Sequence, residues 1–277
     1  MNPLYKWVGG KRAYLDTIKG FMPSTYNTYH EPFFGGGSLY FDLEPRLALI
    51  SDANKHSINF IKALAAAPND LIDQLPTTIG HYNNVSKPER RRLFEAARVG
   101  YNQRNAQGWT LIHLELAAAF YRLVRGGFNG LWRVNASGEF NNPFGDGKPL
   151  LFDADHFRSA SKLLARTTIR NVDFGVAIGD AGEGDFVFVD PPYFETWNGY
   201  VAGGTFGVPE HYRLQRVCGE AVKRGAKVMV TVGDHPYLRS LYKGWRLVEM
   251  ERNQQMSGKA EGRKKEVDII LMGGYDD

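Results

Sequence analysis

Short runs of β-branched and aromatic residues alternate with amphipathic stretches near both ends of the chain. Short apolar runs bounded by turn residues are typical of strands buried in a parallel sheet, whereas apolar residues repeated at helical spacing indicate helices. The predicted strands are 28–31, 47–50, 168–171, 186–189, 227–232, 245–251 and 267–272. This alternation predicts an α/β fold with a mostly parallel sheet and an antiparallel C-terminal strand at its edge.

The middle of the chain differs, because its apolar residues follow helical spacing, most clearly over 89–99 and 111–123. We therefore expect a mostly helical insertion over 57–166. The α/β domain that receives it is formed by residues 1–56 and 167–277.

A segment rich in glycine, asparagine and aromatic residues follows the second of these helical stretches. Within it, the pair Ser137-Gly138 predicts the tip of a hairpin near 131–142. Basic residues, among them Arg125 and Arg133, are spread around this segment. They favour contact with an anionic partner, and solvated helix and loop faces are the alternative explanation.

Composition narrows the class of protein further. The 277 residues are 43% hydrophobic and 23% charged, with a net charge of +4, which is ordinary for a globular protein. No apolar run is long enough for a membrane helix and no signal peptide is evident, so we expect a cytoplasmic protein. A single cysteine, Cys218, excludes an intrachain disulfide, and the histidines show no metal-ligand spacing. We therefore expect no metal, and a monomer.

The segment Asp190-Pro191-Pro192-Tyr193 follows the predicted strand 186–189. Ligands of α/β proteins bind beyond the carboxyl ends of such strands, so Asp190 is expected in a crevice. Neither proline donates an N–H, which leaves the Pro191 carbonyl available to a ligand. Two acceptors and the Tyr193 ring together match an exocyclic amine on a planar ring. A simple turn is the alternative, and the preceding strand favours the site.

Three consecutive glycines, 35–37, follow the strand 28–31 and allow a ligand to approach the backbone closely. Ser38 is the predicted N-cap of the next helix. The pattern is neither the spaced dinucleotide motif nor a phosphate-binding loop, which favours a nucleoside-type cofactor without a pyrophosphate. Asp52, after the next strand, either accepts hydrogen bonds from ribose hydroxyls or caps a helix, with Asn54 competing for the cap.

Near the N-terminus, a tryptophan and two lysines surround a glycine pair in Lys6-Trp7-Val8-Gly9-Gly10-Lys11. One interpretation is that Lys11 neutralises a cofactor carboxylate with Trp7 packed nearby. The other is a frayed surface terminus.

Five motifs stand in a fixed order along the chain: Lys6-Trp-x-Gly-Gly-Lys, Glu31-Pro-Phe-Phe-Gly-Gly-Gly-Ser, Asp52, Phe128-Asn-Gly-Leu-Trp-Arg with Gly138-Glu-Phe-Asn-Asn-Pro-Phe-Gly, and Asp190-Pro-Pro-Tyr. In this order the chain resembles the Dam-type DNA adenine methyltransferases of the α group, which methylate the amino nitrogen of adenine with S-adenosylmethionine. The resemblance implies a Rossmann-like methyltransferase sheet with an inserted target-recognition domain. It also implies S-adenosylmethionine as cofactor and double-stranded DNA as partner.

The resemblance also assigns residues to three sets. The cofactor set is Trp7, Lys11, Glu31, Phe33, Gly35, Gly37, Asp52, Asp173, Phe174 and Asp190. Within it, Asp173 would meet the amino group of the cofactor adenine and Phe174 its ring. The DNA set is Lys6, Arg125, Asn129, Arg133, Asn135 and Ser137. The catalytic set is Asp190, Pro191, Pro192 and Tyr193.

The implied mechanism flips the target base out of the duplex, because its amino group is otherwise hidden in the stack. Tyr193 would stack on the base while Asp190 and the Pro191 carbonyl accept its amino protons. One departure concerns the target sequence. Members that read GATC carry a Tyr-Asn-Leu-Arg-type segment where this chain has residues 134–137, Val-Asn-Ala-Ser, and the shorter side chains argue against GATC as the target.

The same motifs are compatible with two alternative functions. Cytosine-N4 methyltransferases share the exocyclic-amine chemistry, but they more often carry serine at the position of Asp190. A non-catalytic DNA-binding module is the second, and the intact motifs argue against it. Cytosine-C5 methylation needs a nucleophilic cysteine, whereas Cys218 lies in an apolar helical stripe and is predicted to be a core residue.

Overall fold

A computed structural model of the protein describes residues 1–194, 206–251 and 267–275. The strands of this part of the chain are β1 Tyr29–Glu31, β2 Ala48–Ser51, β3 Thr167–Arg170, β4 Phe186–Val189, β5 Lys227–Gly233, β6 Arg246–Glu251 and β7 Val267–Gly273. They form one seven-stranded sheet in the order β3-β2-β1-β4-β5-β7-β6. Each predicted strand is therefore confirmed, and so is the α/β fold class.

The first five strands are parallel, and β7 runs antiparallel to both of its neighbours. The expectation that the last strand lies at the edge was wrong, because β7 is inserted between β5 and β6. Burial explains this order: residues 268–273 of β7 are all buried, as a strand covered on both faces requires. Arg246 and Glu249 of β6 are exposed, and charged side chains are common on edge strands.

The helices of the described residues pack on both faces of the sheet or lie between β2 and β3. They are α1 Leu15–Gly20, α2 Ser38–Leu43, α3 Lys55–Ala66, α4 Pro68–Asn83, α5 Lys87–Ala106, α6 Leu114–Gly126, α7 Ala154–Leu164, α8 Phe174–Gly179, α9 Val208–Lys223 and α10 Pro236–Leu241. Two 3-10 turns are Lys11–Tyr14 and Phe128–Gly130. Within the described ranges, none of the helices has the length and hydrophobicity that crossing a membrane requires.

Two of the predicted helix caps are decided by the structure. The Asn54 side chain accepts hydrogen bonds from the backbone N–H groups of His56 and Ser57, so it caps α3 and Asp52 does not. The prediction that Ser38 caps α2 was wrong. Ser38 is the first helical residue, and the cap position is held by Gly37 with φ of 65°, a conformation that glycine adopts without steric cost.

The connection from β2 to β3 contains five helices, α3 to α7, where an ordinary crossover between parallel strands has one. The range 57–166 falls within this connection, with residue 57 inside α3, and a separate target-recognition domain there stays a prediction. Its core is continuous with the sheet, because Phe60 and Phe120 belong to the same buried cluster as Tyr29 and Phe186. On the opposite face of the sheet, α8 and α9 cover a second cluster.

The predicted hairpin is present in reduced form. Val134 and Phe140 pair through one isolated antiparallel bridge. In the turn between them, the Gly138 N–H donates to the Asn135 carbonyl at 3.0 Å. Trp132 is fully buried between Phe120 and Phe140, with ring centroids 4.8 and 4.9 Å away. The hairpin is therefore held both by its inward aromatic side chains and by backbone hydrogen bonds from Asn135 to Glu139 and from Asn141 to Arg133, at 2.9 and 3.0 Å.

Candidate active site

A cavity of about 490 Å³ opens beyond the carboxyl ends of β1, β2 and β4. The strand order reverses between β1 and β4, and such a switch point is where open α/β sheets bind ligands. The lining includes residues from each candidate motif except the hairpin. The predicted cofactor residues in this lining are Trp7, Lys11, Glu31, Phe33, Gly35, Gly37, Asp52, Asp173, Phe174 and Asp190. The predicted catalytic residues Pro191, Pro192 and Tyr193 line the same cavity.

The glycine turn after β1 is fixed from three directions at Gly35. Its N–H donates to Asp52 Oδ2 at 2.8 Å, and its carbonyl accepts from the Tyr5 hydroxyl at 3.0 Å. Its φ is +50°, and a Cβ there would lie 2.6 Å from Cδ1 of Trp7. Both the conformation and the close indole ring therefore require glycine.

Asp52 supports this turn rather than a helix. Besides the Gly35 N–H, it accepts the Asn54 N–H on Oδ1 at 2.8 Å. Burial raises the pKa of Asp52, and the hydrogen bonds from Asn54 and Gly35 act against that rise. Each oxygen keeps a further lone pair, and the residue lines the cavity.

Glu31 is a second buried carboxyl group in the lining, with only 3% of its surface exposed. The Tyr29 hydroxyl donates to its Oε2 at 2.8 Å. Burial raises the pKa of Glu31 well above its ordinary value. A cationic ligand in the cavity would favour the charged form of this group.

Aromatic rings and an ion pair form one end of the cavity. Asp173 caps α8 by accepting the Gly175 N–H at 2.8 Å, and its other oxygen pairs with Arg213 of α9. The Arg213 guanidinium lies 4.0 Å from the Phe174 ring centroid. Phe33 stacks on Phe174 with centroids 5.3 Å apart. This end therefore offers flat apolar surfaces beside a carboxylate.

At the other end, Asp190 is held through one of its two oxygens. Lys11 Nζ lies 2.6 Å from Asp190 Oδ1, and Thr231 Oγ1 donates to the same oxygen at 2.9 Å. Within residues 1–194, 206–251 and 267–275, Oδ2 has no hydrogen-bond partner. The side chain is 18% exposed. Asp190 thus presents one unoccupied acceptor at the cavity.

Lys11 is almost completely buried, with 5% of its side chain exposed, and it also donates to the Gly9 carbonyl at 3.1 Å. Burial disfavours its charge, but the attraction of Asp190 outweighs this, so the pKa of Lys11 is raised. The carboxylate that Lys11 contacts in this structure is that of Asp190. A contact between Lys11 and a cofactor carboxylate stays a prediction.

The Tyr193 ring stands against two glycines. A Cβ on Gly233 would lie 3.2 Å from Tyr193 Cδ1, and one on Gly9 would lie 4.0 Å from Cε2. The Tyr193 hydroxyl donates to Asp268 Oδ2 at 3.3 Å. The ring edge and the hydroxyl are therefore both held, and Tyr193 lines the same cavity as Asp190.

The charges of the cavity favour a cationic ligand over a phosphate. Its acidic residues are Glu31, Asp52, Asp173, Asp190 and Glu210. Its basic residues among those described are Lys11 and Arg213, and each already pairs with a carboxylate. No unpaired basic side chain in this part of the chain is left in the lining to bind a phosphate.

Four of the predicted DNA residues have exposed or half-buried side chains on the N-terminal segment, on α6 and in the segment that follows α6. Lys6 is exposed, and its side chain runs beside Gly130. Arg125 lies half-buried in the last turn of α6. Asn129 is exposed with φ of 55°. Arg133 is exposed and donates to the Asn141 side chain at 2.9 Å and to its carbonyl at 3.0 Å.

The other two lie at the hairpin tip and differ in availability. Asn135 Oδ1 accepts the N–H groups of Ser137 and Glu139 at 3.0 and 2.9 Å. Its amide nitrogen donates to the Glu139 carboxylate at 2.8 Å. Asn135 is therefore part of the turn itself, whereas the Ser137 side chain is exposed at its tip.

Sequence reasoning missed two residues of this cavity region. Arg213 lies on α9, and nothing in the spacing of the sequence points to Asp173, 40 positions away. Thr231 lies in a predicted strand, where threonine is an ordinary residue. Aligning the predicted strands 186–189 and 227–232 at their first residues would have placed Thr231 next to Asp190. Cys218 is fully buried in α9 and lies outside the lining, which confirms it as a core residue.

Comparison with known proteins bears on this cavity. A family model described as D12 class N6 adenine-specific DNA methyltransferase matches residues 7–256. The chain is 33% identical over 279 residues to the type II methyltransferase M1.LlaDCHI of Lactococcus lactis subsp. cremoris, covering 98% of this chain and 95% of the relative. It is 32% identical to the DNA N-6-adenine-methyltransferase of Escherichia phage P1, covering 96% of this chain and 35% of the relative. It is 28% identical to the DNA adenine methylase of Vibrio cholerae, covering 96% and 93%.

Proposed function

The chain belongs to the family of D12 class N6 adenine-specific DNA methyltransferases and methylates adenine in DNA at N6, and we propose that the cavity beyond β1 and β4 is where it does so. The observation that carries this proposal is the state of Asp190. Its Oδ1 accepts from Lys11 and Thr231, and among the described residues its Oδ2 has no hydrogen-bond partner.

We propose S-adenosylmethionine as the methyl donor. It supplies a reactive methyl group on a positively charged sulfur. The excess of carboxyl groups in the cavity suits that positive charge, and both basic side chains of the described lining are already paired. Asp173 and Phe174 would hold its adenine and Asp52 its ribose. The turn at Gly35 and Gly37, with Trp7 and Glu31, would surround the methionine portion.

The target adenine would enter extruded from the duplex, since its amino group is inaccessible in the stack. Tyr193, whose ring lies against Gly9 and Gly233, would stack on the base. Asp190 Oδ2 and the Pro191 carbonyl would accept the two amino hydrogens. Two acceptors in fixed positions select an amino group over a carbonyl, because a carbonyl would leave both unsatisfied.

These contacts would draw the nitrogen lone pair away from the ring and towards the methyl group. With the donor bound, the amino nitrogen would form the new N–C bond as the C–S bond of the donor breaks, and Asp190 Oδ2 would receive the released proton. The donor is already activated, so the protein contributes chiefly orientation and electrostatic stabilisation. No covalent bond to the enzyme is needed.

Binding to double-stranded DNA would use the exposed surface around the hairpin. Lys6, Arg125 and Arg133 suit phosphate contacts, and an arginine can also read guanine in the major groove. Asn129 and Ser137 present short polar groups at that surface. Asn135 would act mainly by holding the tip in shape, since its amide groups are used within the turn. A cytoplasmic location and a monomeric state stay predictions.

The test is transfer of labelled methyl groups to plasmid DNA, followed by digestion to nucleosides. We expect N6-methyladenine from the native enzyme and a loss of at least 100-fold with Asp190→Ala. Asp155→Ala is the matched control, because that carboxylate is 92% exposed on α7, and it should retain full activity. An active Asp190→Ala variant would contradict the proposed role of the carboxylate.

A further inference from the structure

We infer that Thr231 is a positioning residue for methyl transfer, which acts by fixing the carboxylate of Asp190. The inference rests on the proposed role of Asp190 as the acceptor of the amino group. Thr231 lies on β5, outside the motifs that identify the family, and its side chain is fully buried.

The register of the sheet brings the two residues together. Val189, the last residue of β4, pairs with Val230 of β5. The next residue on each strand is Asp190 and Thr231, so their side chains leave the sheet on the same side. Thr231 Oγ1 reaches Asp190 Oδ1 at 2.9 Å, whereas its alternative acceptor, the Val189 carbonyl, is 3.5 Å away. The carboxylate is therefore the better partner of the hydroxyl.

Thr231 gives the Asp190 carboxylate a directional hydrogen bond, which Lys11 alone does not provide. A lysine ammonium ends a flexible four-carbon chain and attracts a carboxylate with little directional preference. Threonine is β-branched, with a restricted χ1, and here it stands on an interior strand. Two donors on the same oxygen, Lys11 Nζ and Thr231 Oγ1, fix the position and the plane of the carboxylate, and they leave Oδ2 for the proposed amino group.

The fold itself does not call for a hydroxyl at this position. The alternate residues of β5 on either side, Met229 and Gly233, and the intervening valines are compatible with an apolar strand buried on both faces. Valine has the shape of threonine and a comparable preference for strands. A hydroxyl at position 231 is explained by the carboxylate next to it.

The experiment compares Thr231→Val with Thr231→Ser in single-turnover methyl transfer, which separates chemistry from product release. With the hydroxyl removed, we expect the rate at saturating substrates to fall between about 10-fold and 100-fold, the loss that misplacement of a catalytic group by about 1 Å can cause. Affinity for S-adenosylmethionine and for DNA should change by less than about threefold. The serine variant keeps the donor and should recover most of the rate.

Thr167→Val is the matched control, since it removes a hydroxyl from β3 that hydrogen-bonds Tyr40 at 2.6 Å, on a strand remote from Asp190 in the sheet order. Its rate should be unchanged. If Thr231→Val does not fold, Thr231→Ala takes its place in the comparison.

Three outcomes would overturn the inference: a rate within twofold of the native enzyme, a serine variant as slow as the valine variant, or a loss confined to substrate affinity. Asp190→Ala, measured in parallel, separates the proposed role of Asp190 from that of Thr231. If Asp190→Ala is fully active, the proposed function of Asp190 fails. If it is inactive while Thr231→Val is unimpaired, only the role of Thr231 fails.

Discussion

The ion pair between Lys11 and Asp190 should contribute measurably to folding, and a double-mutant cycle can isolate its contribution. The perturbations are Lys11→Met, Asp190→Asn and both together. At 2.6 Å, two unit charges attract by about 6 kcal/mol if the effective dielectric constant is about 20. Both side chains are largely buried, 5% and 18% exposed, and desolvation offsets several kcal/mol. We therefore expect a net coupling energy of about 1–3 kcal/mol.

The assay is urea unfolding of the four proteins at pH 7 without ligand, with equal m-values as the condition for comparison. Lys11→Met alone should be costly, because it leaves Asp190 without its counter-ion. The double variant should recover part of that loss. The exposed pair of Lys19 and Asp42, 2.8 Å apart with 36% and 32% exposure, is the matched control and should couple by less than about 1 kcal/mol.

The pH dependence follows from the raised pKa of Lys11. A lysine whose pKa is higher in the folded state stabilises the fold fully below its unfolded value, 10.5, and the contribution disappears as the pH rises through the folded value. The coupling energy should therefore be the same at pH 7 and pH 9 and should decline only at more alkaline pH. A coupling energy no greater than that of the exposed control pair would refute the reasoning.

Other consequences of the structure are also measurable. Gly35→Ala should lower the free energy of unfolding by more than about 2 kcal/mol, because of the positive φ and the overlap with Trp7. Gly219→Ala in α9 is the control, because it has open space around it, and it should leave the free energy of unfolding equal or raise it by up to about 1 kcal/mol. Urea unfolding measures both effects. Cys218→Ala should retain methyl transfer, and the native thiol should resist iodoacetamide until the protein unfolds, because burial raises its pKa; rapid alkylation of the folded enzyme would contradict this. Arg125→Gln should reduce the slope of log affinity for DNA against log salt by about 0.9, and an unchanged slope would remove Arg125 from the phosphate contacts.

The sequence allowed the strands and the cavity lining to be predicted because both depend on local patterns. Apolar runs of strand length define the sheet, and the motifs stand directly after three of those strands. Parallel strands end at the same side of a sheet, so residues such as Glu31, Asp52 and Asp190 had to converge. Glu31, Asp52 and Asp190 line one cavity for this reason, whereas Trp7 and Lys11, which the resemblance assigned, reach the cavity from the N-terminal segment.

The missed features depend on contacts between distant segments. The position of β7 inside the sheet is set by burial on both faces, which its short apolar run does not distinguish from an edge strand. The pairing of Lys11 with Asp190 joins residues separated by most of the chain. The hydrogen bonds of Asn135 within the turn depend on the fold of the hairpin, and its contact with DNA stays a prediction. Identity alone does not separate these roles.

The buried aromatic cluster that runs from Phe60 and Phe120 to Tyr29 and Phe186 has a consequence for how target preference can change. Grafting the whole helical segment from a relative would require refitting the buried rings that it shares with the sheet, because neighbouring rings in a close-packed interior tolerate little change in volume. Replacing exposed residues such as Arg133 and Ser137 disturbs none of that packing. New DNA specificities would therefore arise, in evolution or by design, from changes to the exposed residues of the hairpin while its buried aromatic residues are kept.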